Sequence, residues 1–192
     1  SEHYRIVFNG NGYSDEWVEE AARRGLPNIT CMVDAIPYLT EQKTIDLFEK
    51  FHVLTEAELY SRQEIKYEAY AKALNIEARA MIDIASKQIL PVAVQYAANL
   101  AHSVNEVRSA CAAADTSVQE EMLCAVSHLL RETRDALKKL TQVTEEASGI
   151  AEGKDRALYF RKEVNPAMEA LRSPVDKLEM IVDKALWPMP SY

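Results

Sequence analysis

The stretch that decides the fold is residues 55–105, TEAELYSRQEIKYEAYAKALNIEARAMIDIASKQILPVAVQYAANLAHSVN. Thr55 and Glu58 have the spacing of a capping box, in which each side chain bonds the other residue's backbone N–H. Apolar or small residues then recur every three or four positions, at Tyr67, Tyr70, Leu74, Ala78, Met81 and Ala85. We therefore expect a helix of roughly 50 Å up to Pro91, at about 1.5 Å per residue. Such a helix needs partner helices to bury its apolar stripe.

Pro91 is the only proline between Pro37 and Pro166, and the chain has no glycine between Gly25 and Gly149. A proline inside a helix lacks the backbone donor, and its ring clashes with the carbonyl four residues earlier. The sequence therefore predicts a kink or a break of the long helix at Pro91.

Two more long helices follow. Asp115 or Thr116 is expected to cap the second, which carries a heptad seam of Met122, Val126, Leu129, Thr133, Ala136, Leu140, Val143 and Ala147. The third carries Leu158, Phe160, Val164, Ala167, Met168 and Leu171, with a kink expected at Pro166 and a continuation capped by Ser173. The apolar tail Leu186–Pro190 is typical of a segment that docks on another surface.

The N-terminal segment has the sequence pattern of a short strand and short helices and not of a long helix. Tyr4–Phe8 is short and β-prone, and Asn9–Gly12 has turn chemistry, so we expect one short strand and a turn. The two glycines lack the rest of any nucleotide-binding motif. Short helices should follow, capped by Ser14 and Thr40. The predicted fold is mainly α: a bundle of three long antiparallel helices (residues 55–192), preceded by a small piece with one strand and short helices (residues 1–54).

Composition excludes several function classes. The chain has 192 residues, 30 acidic against 22 basic, and a net charge of −8, which opposes binding to nucleic acid or an anionic membrane surface. No run reaches the roughly 20 apolar residues of a membrane span, and no signal-peptide pattern opens the chain. The three cysteines are an odd number without a CxxC pair, so we expect free thiols and a cytoplasmic protein. Because the chain opens with Ser, we expect a piece of a longer protein.

The candidate chemical groups do not form a known site. Glu49 and His52 make a single Glu-x-x-His, whereas di-iron bundles need two such pairs and two more carboxylates. His128 could be a phosphorelay histidine, but a histidine on a polar helix face is the commoner case. The carboxylate pairs Glu56/Glu58, Glu64/Glu68 and Glu16/Glu20 fit solvated helix surfaces better than catalysis. Cys111 and Cys124 are expected to behave as small hydrophobes. From the residues alone, the chain is a helical interaction or assembly module.

Several stretches nevertheless resemble the C-terminal region of the type III glutamine synthetases. They are Phe8–Asn28, Asn75–Ala78, Ile89–Pro91, Pro166–Arg172 and Leu186–Pro190, in that order. The resemblance implies a parent enzyme that condenses glutamate with ammonia, using ATP and Mg²⁺ or Mn²⁺, through a γ-glutamyl phosphate.

The family's metal-binding glutamates and its ATP and glutamate loops have no counterpart here, so the resemblance transfers no catalytic, cofactor-binding or metal-binding residue to this chain. It implies instead a structural role, with the rest of the synthetase chain and other subunits of a homo-oligomer as partners. The alternative is a free-standing helical scaffold that binds another protein.

Overall fold

The computed structural model describes residues 3–190, except for the side chain of Arg5, and this part of the chain is mainly helical. The chain divides into two compact units, Ser1–Gln63 and Glu64–Tyr192, here called the N-terminal and C-terminal units. The α-helices are α1 (Asp15–Arg23), α2 (Met32–Ala35), α3 (Gln42–Lys50), α4 (Glu56–Ile84), α5 (Leu90–Ala110), α6 (Ser117–Ser148), α7 (Lys154–Tyr159) and α8 (Asn165–Glu179).

The predicted strand at Tyr4–Phe8 is wrong. Tyr4–Ile6 is a turn of 3₁₀ helix, in which the Val7 N–H donates to the Tyr4 carbonyl at 3.0 Å. Residues 3–190 contain no strand that could pair with this run. An isolated strand would leave its backbone donors and acceptors without partners, so a local 3₁₀ turn satisfies them better.

The predicted signals around α1 are confirmed. Ser14 is the N-cap residue, although its hydroxyl donates to the Asn11 carbonyl at 2.8 Å and does not bond the helix. Gly25 ends the helix with φ +69°, and the next residue, Leu26, donates its N–H to the Ala21 carbonyl at 2.8 Å. This pair of features is a Schellman motif, which requires a left-handed residue and so favours glycine.

Helix α3 ends in the same way with a different residue. His52 has φ +52°. Its N–H donates to the Glu49 carbonyl at 3.0 Å, and the Val53 N–H donates to the Phe48 carbonyl at 3.0 Å. The predicted cap Thr40 is wrong, because the N-cap of α3 is Glu41 and Thr40 belongs to a 3₁₀ turn.

The start of α4 is the predicted capping box. The Thr55 N–H donates to the Glu58 carboxylate at 2.8 Å, and the Glu58 N–H donates to the Thr55 hydroxyl at 3.4 Å. Of the predicted stripe, Tyr67, Ala78 and Ala85 are buried.

Pro91 does not break the long helix. A π-helical segment, Ala85–Ile89, precedes it, and the Leu90 N–H donates to the Ala85 carbonyl five residues earlier. The same arrangement precedes Pro166, where Phe160–Val164 is π-helical and the Asn165 N–H donates to the Phe160 carbonyl. The irregularity therefore lies before each proline, and helical structure continues on both sides of it.

Helix α6 packs against α5 and α8 and carries the core of the C-terminal unit. Of its heptad seam, Val126, Leu129, Thr133, Leu140, Val143 and Ala147 are buried, and Met122 and Ala136 are half-buried. Leu137 and Thr144 are buried as well, which widens the seam into a core-facing stripe.

The predicted cap at Ser173 is wrong, since α8 runs from Asn165 to Glu179 with Pro174 inside it. Beyond α8, Leu186 and Trp187 pack as partly buried side chains against a cluster of buried residues from α5, α6 and α8. No helix within residues 3–190 has both the length and the apolar character needed to cross a bilayer.

Candidate functional site

The Glu49–His52 pair lies beside a cavity of about 420 Å³ in the N-terminal unit, lined also by Thr55 and Glu58. Both carboxylates are already engaged. The Glu56 N–H donates to Glu49 at 3.3 Å, and the hydrogen bond from the Thr55 N–H holds the pKa of Glu58 below its ordinary value. These groups cap the start of α4 and terminate α3, so the geometry explains them as structural residues.

The other predicted carboxylate pairs lie on helix surfaces with basic neighbours. Glu20 accepts hydrogen bonds from Arg23 and Arg24, which lower its pKa. Glu68 pairs with Lys72 at 3.2 Å. An exposed ion pair of this kind contributes little to stability.

His128 is exposed, with its Nδ1 3.8 Å from the Glu132 carboxylate. Cys111 and Cys124 are exposed free thiols, so the expectation that they pack as small hydrophobes is wrong, while Cys31 is half-buried. Cys111 follows the last residue of α5, and the alanines on either side of it are exposed as well, whereas Cys124 lies on α6 two residues before the buried Val126, on a different face of the helix.

A second cavity, of about 100 Å³, lies in the C-terminal unit between α4 and the α6–α7 turn. Four charged side chains line it: Glu68, Lys72, Glu152 and Arg156. The Arg156 guanidinium donates to the Ile150 carbonyl at 2.7 Å and lies 3.5 Å from Glu152. The guanidinium therefore satisfies backbone acceptors where α6 ends, which is a capping role.

Gly153 makes that turn possible. Its φ of +110° suits only glycine, and a Cβ at this position would lie 3.2 Å from the Glu64 carboxylate.

A tyrosine–carboxylate bond near the same turn is invisible in the sequence. The Tyr159 hydroxyl donates to Glu146 at 2.5 Å, across 13 residues of chain. This bond raises the pKa of Tyr159 to about 12 and lowers that of Glu146. Only the antiparallel return of the chain after Gly149 and Gly153 could have suggested the pair.

Among residues 3–190, no three His, Cys, Asp or Glu side chains come together as a metal-ligand set. Divalent cations such as Mg²⁺ take oxygen ligands, and the carboxylates described above already serve caps and ion pairs. These residues therefore do not fit a metal centre, and we assign no metal ligand to this part of the chain.

A family model described as the glutamine synthetase C-terminal domain matches residues 1–108, more than half of the chain. The chain belongs to the glutamine synthetase family. The match includes the whole N-terminal unit, α4 and most of α5.

Individual glutamine synthetases align with almost the entire chain. A glutamine synthetase of Butyrivibrio fibrisolvens is 35% identical over 190 residues, covering 99% of this chain and 27% of that protein. A type-3 glutamine synthetase of Dictyostelium discoideum is 33% identical and covers 100% of this chain and 26% of its own length. A glutamine synthetase of Bacteroides fragilis (strain YCH46) is 30% identical, and the alignment covers 97% of this chain and 26% of that protein. The chain thus spans about a quarter of the length of these relatives.

Proposed function

We propose that this chain is the C-terminal helical domain of a type III glutamine synthetase and that its role there is structural. The observation that carries the proposal is the pattern of alignment. The relatives cover 97–100% of this chain, whereas it covers only 26–27% of them. The chain aligns with its relatives along its whole length, and residues 1–108 match the model of the C-terminal domain. Both findings are expected of one part of a larger enzyme.

The proposed parent enzyme joins ammonia to glutamate at the expense of ATP, with a divalent metal ion. We assign none of that chemistry to this chain, because within residues 3–190 no three His, Cys, Asp or Glu side chains come together as a metal-ligand set and Glu58 and Glu68 serve a cap and an ion pair. The catalytic groups would then be supplied by the rest of the synthetase, in what we expect to be a cytoplasmic enzyme.

We infer that the structural role rests on a bundle of three long helical segments, residues 56–110, 117–148 and 154–179, packed antiparallel, with residues 1–54 as the end of the catalytic region. The buried stripe of α6 and its packing against α5 and α8 support the bundle. On α4, Ile65 and Ile76 are exposed and lie three helical turns apart on the same face. This face is suited to contacts with the rest of the chain or with another subunit.

The first test measures the particle size and the glutamine synthesis of the 192-residue chain by size-exclusion chromatography with light scattering and an activity assay. A folded, inactive chain agrees with the proposal. Synthetase activity that survives removal of host enzyme would contradict the absence of catalytic residues.

The second test uses the longer gene product. Leu129→Glu and Leu140→Glu should each disrupt folding or assembly, because these side chains are 7% and 0% exposed. Lys139→Glu, at an exposed position of the same helix, is the matched control. Unchanged particle size and melting temperature in both leucine variants would refute the structural role. A gene product that begins at these 192 residues, with no synthetase sequence upstream of them, would favour the free-standing scaffold.

A further inference from the structure

Exposed apolar side chains are concentrated in the N-terminal unit. Within residues 3–190, twelve of the eighteen exposed large apolar side chains belong to this unit, which contains only 63 of the 192 residues. Single exposed apolar residues are ordinary, but a concentration of them marks an interaction surface.

The buried core of the same unit is small. Its described residues bury five apolar side chains, Ala21, Val33, Ile36, Ile45 and Leu59. Short helices such as α1 to α3 depend on packing, because their own hydrogen bonds do not stabilise them in water. A unit of this size with few buried apolar side chains is only marginally stable by itself, and a surface that covers its exposed apolar side chains would add stability.

Three of the exposed residues lie at or just after the end of α3 and are here called the α3 patch: Leu47, Phe51 and Val53. They are 53%, 63% and 61% exposed. Leu47 and Phe51 are one helical turn apart on the same face. Val53 follows directly after the left-handed residue His52, whose Schellman motif holds the chain in one fixed conformation here. The backbone of the patch is therefore held by α3 and by the hydrogen bonds that end it.

We propose that the α3 patch is a docking surface covered by the part of a longer glutamine synthetase that precedes residue 1. This inference rests on the proposed function. The family match includes all of the N-terminal unit, and the relatives are nearly four times as long as the chain, so they contain ample polypeptide to cover it. A covering segment joined through the same backbone has a high effective concentration and needs no separate partner.

Hydroxyl-radical footprinting with mass spectrometry tests the proposal on two proteins, the 192-residue chain and the longer gene product that contains it. Phe51 should react rapidly in the first and fall in the second to the rate of Phe160, which is 2% exposed and gives the floor for a buried ring. Equal reactivity of Phe51 in both proteins would overturn the docking surface. Protection of Phe51 in the 192-residue chain that grows with its concentration would also overturn it, because the occupant would then be a second copy.

A pair of variants separates docking from folding. Phe51→Ser should leave the melting temperature of the 192-residue chain unchanged and lower that of the longer protein. Leu59→Ser, at a position 1% exposed, should lower both. If Phe51→Ser has no effect in the longer protein, the patch is not a docking surface.

Glutamine synthesis by the longer protein distinguishes this inference from the proposed function. An active enzyme in which Phe51 stays reactive would refute the docking surface alone. An inactive protein in which Phe51 is protected would refute the proposed function and leave a covered patch. A gene product that consists of these 192 residues alone would refute both.

Discussion

Replacing Thr133 by valine should stabilise the C-terminal unit. Thr133 is 0% exposed, and its hydroxyl has no hydrogen-bond partner. A buried polar group without a partner costs about 1–3 kcal/mol, because it has lost water and gained nothing in exchange. Valine has nearly the same shape and a similar helix propensity, so Thr133→Val should raise the free energy of unfolding by about 1–2 kcal/mol.

Thr144 provides the matched control on the same helix. It is 3% exposed, and its hydroxyl donates to the Leu140 carbonyl at 2.7 Å. Thr144→Val removes that bond while it removes the hydroxyl, so its effect should be close to zero or destabilising by up to about 1.5 kcal/mol. The same chemical change should therefore raise the free energy of unfolding at position 133 and leave it unchanged or lower it at position 144.

Equilibrium denaturation followed by circular dichroism measures both variants, with the melting temperature as a second readout. For a domain of this size, a stabilisation of 1 kcal/mol raises the melting temperature by about 2–4 °C. If Thr133→Val were no more stable than Thr144→Val, the Thr133 hydroxyl would have a partner in solution. Thr133 would then not carry an unpaired buried hydroxyl, and the expected stabilisation would be refuted.

Three further predictions follow from single contacts. His52→Gly should raise the free energy of unfolding by about 0.5 kcal/mol, since glycine relieves the strain of the left-handed backbone but gains freedom in the unfolded chain. Gly25→Ala should lower the free energy of unfolding by about 1 kcal/mol, because alanine is strained at a positive φ. Chemical denaturation measures both variants, and a loss of stability in His52→Gly would contradict the strain at His52. Glu146→Gln should move the pKa of Tyr159 from about 12 back towards its ordinary value near 10, seen as tyrosinate absorbance. Because the bond raises the pKa of Tyr159 and lowers that of Glu146, its stabilisation is fully present only between the ordinary pKa of Glu146, 4.5, and pH ~10. It is lost as the pH rises through about 12 and as the pH falls through the lowered pKa of Glu146, and an unchanged titration of Tyr159 in the variant would exclude the bond. Leu140→Ala should cost about 2–5 kcal/mol in equilibrium unfolding, and a cost below about 1 kcal/mol would mean that the seam is not packed.

The helices were predictable wherever two independent signals agreed. Around α1, the cap Ser14 and the terminator Gly25 bracket a short amphipathic segment, and the structure begins and ends the helix there. In α6, eight positions spaced by three and four residues identify the buried face, because helical geometry alone determines which side chains share it. Single residues were less reliable, as Thr40 and Ser173 show. A serine or threonine caps a helix only where other interactions already make the helix begin.

The strand at Tyr4–Phe8 failed for a related reason. β-propensity describes how well a residue fits a pleated surface, and it has no effect without a neighbouring strand. The sequence also does not predict the Tyr159–Glu146 hydrogen bond, because this bond depends on how the turn after α6 returns the chain and not on either residue type. Both cases concern contacts between distant segments, which local patterns do not encode.

The prolines show how a residue's effect depends on the packing around it. Pro91 and Pro166 each follow a five-residue π segment, and both ends of each segment are buried: Ala85 and Ile89 at 3% and 4%, Phe160 and Val164 at 2% and 0%. Buried side chains continue beyond each segment, at Ala93 after the first and at Ala167 and Met168 after the second. The core-facing side of each helix is therefore kept across the π turn. Pro174, in contrast, lies inside α8 without such a segment. A proline by itself therefore does not predict a helix end, because Pro91 and Pro166 each follow a π segment and Pro174 lies inside a regular helix.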